Sequence, residues 1–170
     1  MSSRFLGAVV GLSLSFCVFP ASAFDVTAYE EVVKETIRSV VSGNPNVDEL
    51  ITQQKKLVEL GVAACREHGE KHVKDSKFMG LVADNAKKMM GMSLDEIEEQ
   101  WHEQEFLLSH GIDTEVEGHF SKANSLADAV IHPATAYIAL NEYKKTNDST
   151  LLIQVKEELE EVLEHLEHIH

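Results

Sequence analysis

The closing stretch TLLIQVKEELEEVLEHLEHIH, residues 150–170, decides the fold class. Leu152, Val155, Leu159, Val162, Leu166 and Ile169 recur in steps of three and four, the heptad seam of an amphipathic helix. Asn147 or Asp148 suits the cap before it. Glu157, Glu158, Glu160, Glu161, Glu164 and Glu167 fall on the other faces and read as solvated. His165, His168 and His170 stand where a helix C-terminus favours positive charge.

The same period extends upstream. Val26, Tyr29, Val33, Ile37 and Val40 form a stripe, with Thr27 and Glu30 as a capping box and Gly43 and Asn44-Pro45 as the stop. Asn46 and Glu49 open a helix that carries Leu50, Leu57, Leu60, Ala64, Cys65 and His68 through Gly69 to His72. A third runs from Phe78 to Met90 and ends at Gly91. Ser93 and Glu96 cap a fourth, with Leu94, Ile97, Trp101 and Leu108 inward. Ser109–Asn124 has no period and reads as a long loop. Ser125 restarts a helix in which Pro133 forces a kink or break, because proline lacks the N–H and clashes with the preceding turn. No segment alternates with period two. The expected fold is an all-α, antiparallel helical bundle of four main helices plus one or two shorter ones, with a C-terminal heptad-patterned helix.

The N-terminus sets the compartment. Arg4 precedes an uncharged run from Phe5 to Phe19, then Pro20 and Ala21-Ser22-Ala23. This is the pattern of a secretory signal peptide cleaved after Ala23, which leaves 24–170 as one helical-bundle domain, with the periplasm as the expected location. No later segment is continuously apolar, so no membrane span is expected in the mature chain. The chain carries a net charge of −14; cleavage removes one basic residue and no acidic one. Nucleic acid is therefore excluded as a natural partner. Cys65 is the one cysteine after cleavage, so no intramolecular disulfide forms.

Two constellations carry potential chemistry. Cys65, His68 and His72 share one helix face, a thiolate and two imidazoles suited to zinc or copper. Because i and i+7 lie about 10 Å apart along the axis, Cys65 with His68, or His68 with His72, is the workable pair. Cys65 also continues the apolar stripe of Leu57, Leu60, Gly61 and Ala64, which favours reading it as a small buried hydrophobe. The second constellation gathers His102, His110, Asp113, His119, Asp128 and His132 around the loop. His132 also has a structural reading, as donor to a carbonyl orphaned by Pro133.

A divalent metal ion is the first cofactor these residues imply. Non-covalent haem, held by a histidine with Met79, Met89, Met90 or Met92, is the second. Covalent haem is excluded without Cys-x-x-Cys-His, and a di-iron carboxylate bundle is not expected, because Glu99–His102 supplies one Glu-x-x-His pair within the helices where two are needed and Glu167–His170 repeats the spacing only at the last residues. Nucleophile elbows, phosphate loops and His-Glu-x-x-His are missing, so no enzymatic activity is expected. The functional expectation is an exported, non-enzymatic binding or interaction module, with a protein partner or homo-oligomer using the C-terminal seam. Its alternatives are a periplasmic metal- or haem-binding protein and a pH-responsive histidine-rich accessory protein.

Overall fold

A computed structural model describes residues 24–114, 118 and 121–169. The expected signal segment and cleavage site, His119 and His170 lie outside the described residues. The described chain contains seven α-helices and no strand: α1 Val26–Val41, α2 Val47–Lys71, α3 Ser76–Met89, α4 Leu94–Ile97, α5 Glu105–Ser109, α6 Lys122–Thr146 and α7 Thr150–Leu166. The all-α bundle is therefore present, but with five helices of 14 residues or more where four main ones were expected.

α6 is the axis of the molecule. It packs against α2, α3, α4 and α7, while α1 closes over α2 and α7. Being covered on so many sides, it buries most residues from Ala123 to Leu140, including Asn124, Ser125, His132 and Thr135. α7 lays Val155, Leu159, Val162 and Leu166 into the core, each side chain contributing about 1.5–3 kcal/mol on full burial. The seam is thus satisfied within this chain. The 147–149 connection is too short for anything but an antiparallel turn between α6 and α7.

Caps explain most boundaries. Asn46 accepts from the Glu49 N–H at 3.4 Å, and Ser93 with Glu96 forms the expected capping box. α1 is capped instead by Asp25, which accepts from the Ala28 N–H at 3.0 Å, so the Thr27 box is displaced by a better-placed carboxylate. Asp148 accepts from the Thr150 N–H and hydroxyl at the start of α7. Ser121, accepting from the Asn124 N–H, caps α6 four residues before the expected Ser125.

Two departures shape the site. The helix expected from Ser93 through Leu108 stops after one turn of α-helix and widens into a π-helical turn, Glu98–His102, closed by Glu103 N–H to the Glu98 carbonyl at 2.8 Å. Gln104 then adopts a left-handed φ of 63°, which ends it, and the Thr114 hydroxyl donates to the Gln104 side chain at 2.5 Å. The second departure is Pro133, which does not break α6. The carbonyl it leaves without a backbone donor is that of Ala129, four residues earlier. The buried Tyr29 hydroxyl donates to this carbonyl at 2.6 Å, the service expected of His132 or water. Gly61 makes room, because a Cβ there would lie 2.4 Å from the Ala129 oxygen.

Candidate metal centre

Where α6 and α7 face each other under the π-helical turn, the core contains charge. α6 contributes Asp128, His132 and Thr135, spaced four and then three residues apart on one face. α7 answers with Glu158, Glu161 and His165, and the π-helical turn brings in His102. π-helical turns occur often at functional sites, since the extra residue re-aims the side chains around it.

His132 is the hub. Its Nδ1 lies 2.8 Å from Glu158 Oε2 and its Nε2 lies 3.7 Å from the more exposed Glu161. His102 Nε2 stands 3.7 Å from the same Glu158 oxygen and 2.9 Å from the Thr135 hydroxyl. That hydroxyl spends its proton on the Ile131 carbonyl at 3.1 Å, so His102 Nε2 is the donor to Thr135. His165 Nδ1 lies 3.2 Å from Asp128 Oδ2, and its ring stacks on His132 with centroids 6.0 Å apart. The His102 ring meets His132 edge-on at 5.0 Å.

Two triads result, both including His132. His102, His132 and Glu158 bring one ligand atom each within 4.8 Å of one another, and so do Asp128, His132 and His165. A cavity of about 190 Å³ adjoins them, lined in part by Trp101, His102, Asp128, Ile131, His132 and His165.

The electrostatics divide the two imidazoles. Burial pushes the His132 pKa down, but the Glu158 hydrogen bond and the charges of Asp128, Glu158 and Glu161 outweigh it, leaving a net rise. Burial and the neighbouring His132 charge lower that of His102 against the opposing pull of Glu158, Glu98 and Glu161. Without a metal a shared proton therefore resides on His132 in preference to His102.

Of the Cys65, His68 and His72 constellation, the structure brings together one of the two workable pairs and adds a carboxylate. His68 and His72 come together, their rings stacked with centroids 4.2 Å apart, and their third partner is Asp75, 2.6 Å from His68 Nε2. Cys65 belongs to neither set of converging ligand atoms. It is fully buried and its thiol donates to the Leu126 carbonyl at 3.3 Å. Burial and the Asp128 charge, opposed by Arg66, push the thiol up to about 12, so no thiolate forms near neutral pH. The core reading of Cys65 is the one this geometry favours.

Of the loop residues, His110 is exposed and contacts the Phe106 carbonyl, and Asp113 is exposed too, so neither joins His132. Met79 and Met89 are fully buried core residues. Sequence reasoning missed Glu158, His165 and Asp75. Glu158 and His165 are seven residues apart, each just before a seam residue, which was the available signal that they border the core rather than solvent. No protein-family model matches this chain, and no curated protein or solved structure matches it either.

Proposed function

We propose that this protein binds a divalent transition-metal ion in the His132 cluster, with His102, His132 and Glu158 as the ligand set. The supporting observation is the convergence of those three groups at the α6–α7 interface, one ligand atom from each within 4.8 Å, with His132 itself buried. Burying ionisable groups is costly, and packed apolar residues of similar volume often serve stability as well or better. A gathering of imidazoles and carboxylates at that depth is accounted for by a ligand.

Imidazole nitrogen with a carboxylate oxygen suits zinc and similar borderline ions better than calcium or magnesium, which favour all-oxygen shells. His102 is already biased to its neutral form, and its Nε2, 3.7 Å from Glu158, would exchange the Thr135 hydrogen bond for the ion. His132 must release its proton, so binding is proton-linked and weakens as pH falls. Asp128 with His165 beside His132 is positioned to orient the His132 ring. The adjoining cavity leaves room for water at an open coordination position. The role is binding in the exported chain, without a reaction assigned to it.

The test is equilibrium dialysis of untagged, chelator-stripped protein against Zn²⁺. Wild type should retain an ion that His132→Gln and Glu158→Gln both lose, with far-UV circular dichroism unchanged. Equal zinc retention by wild type and both variants would refute the proposal.

A further inference from the structure

The corner between α2 and α3 holds a separate cluster that shares no residue with the core site. His68 and His72, one turn apart, project from the C-terminal end of α2. The chain then turns tightly, with the Asp75 N–H bonded to the His72 carbonyl at 3.0 Å, and this returns the Asp75 carboxylate to the histidines. One ligand atom from each of the three lies within 4.8 Å of the others.

The His68–Asp75 pair alone would suffice as a structural contact: it is short, and His68 is 8% exposed. His72 is what that contact leaves unexplained. It is exposed, it stacks on His68, and it brings a second imidazole to the same point. Two imidazoles brought to one point offer two nitrogen lone pairs that a single cation can share. Beside them a cavity of about 360 Å³, with Ala64 and Leu126 in its lining, borders both rings and leaves space for water or an outside ligand to complete a coordination shell. Lys71, which also borders it, is neutralised by Glu67 at 2.5 Å.

We propose that His68, His72 and Asp75 form a second, solvent-facing site for a divalent transition-metal ion of the copper, nickel or zinc class. Two imidazoles and a carboxylate in an open setting match such ions and leave further positions free. Exposure makes the site rapidly exchanging, in contrast to the enclosed His132 cluster. The proposal stands independently of the core assignment.

Stripped, untagged full chain titrated with Cu²⁺ in a calorimeter tests it. His72→Gln and Asp75→Asn should each abolish a binding event present in wild type, while His132→Gln leaves that event in place. His72 is exposed, so His72→Gln should leave the urea unfolding midpoint where it was. If His132→Gln changes nothing while His72→Gln still removes an event, the corner site stands and the core site falls. If His72→Gln and Asp75→Asn both bind Cu²⁺ with wild-type stoichiometry and less than a tenfold loss of affinity, the corner proposal is overturned.

Discussion

Tyr29→Phe removes a single oxygen, the donor serving the Ala129 carbonyl beside the proline in the central helix. Tyr29 is fully buried, and burial together with the nearby Cys65 raises its pKa, so the hydroxyl keeps its proton and donates at any physiological pH. Without it, the carbonyl has neither the Pro133 N–H nor a replacement, and an unsatisfied buried acceptor costs about 1–3 kcal/mol. Each kcal/mol lowers Tm by about 2–4 °C for a domain of this size. The same change in a Pro133→Ala background should cost less, because alanine restores the backbone N–H to Ala129. Urea denaturation of the four proteins, followed by far-UV circular dichroism, measures the coupling directly. A coupling near 1 kcal/mol is expected, above the roughly 0.3–0.5 kcal/mol scatter of additive pairs. If Tyr29→Phe costs the same in both backgrounds, the hydroxyl is not substituting for the missing N–H and the explanation of an unbroken α6 is wrong.

Gly61→Ala should destabilise by about 1–3 kcal/mol or more through overpacking, because its Cβ would meet the Ala129 oxygen at 2.4 Å and Val130 Cγ2 at 2.8 Å; a neutral result in urea would contradict the close α2–α6 approach. In metal-free protein the two central histidines should bend stability in opposite directions. The contribution of His132, whose folded pKa lies above 6.5, is complete below that value and is lost as pH rises through the folded pKa. That of His102, whose folded pKa lies below 6.5, is present above it and is lost as pH falls through the folded pKa. His102→Gln should therefore flatten the acid limb of the Tm–pH profile, and profiles parallel to wild type would count against the assignment. Cys65 should resist a disulfide thiol reagent at pH 8 in the native state and react in denaturant; fast native labelling would show that it is not sealed in the core.

The bundle was legible where one face of a helix meets solvent and the other meets core. α7, α1 and α2 show this, and the stripes through Leu159, Val33 and Leu57 mark their inner sides. α6 was harder because its neighbours cover it nearly all round, so Ser125 and Asn124 are as buried as Leu126 and periodicity carries little information. Pro133 misled for a related reason: local chemistry calls for a break, and the remedy lies 104 positions away in Tyr29. His102, Asp128 and His132 were identifiable by residue type. Their true partners on α7 were not, because Glu158 sits in a glutamate-rich run whose other members face water. Only the pairing of α6 with α7 separates it from them.

The most direct measurement is anomalous diffraction at the zinc edge from crystals of untagged protein loaded with one equivalent of Zn²⁺. Density between α6 and α7 is expected, about 2.0–2.2 Å from His102, His132 and Glu158. Zinc density elsewhere on the chain, with none at that cluster and with His132 still hydrogen-bonded to Glu158, would contradict a metal centre in the core.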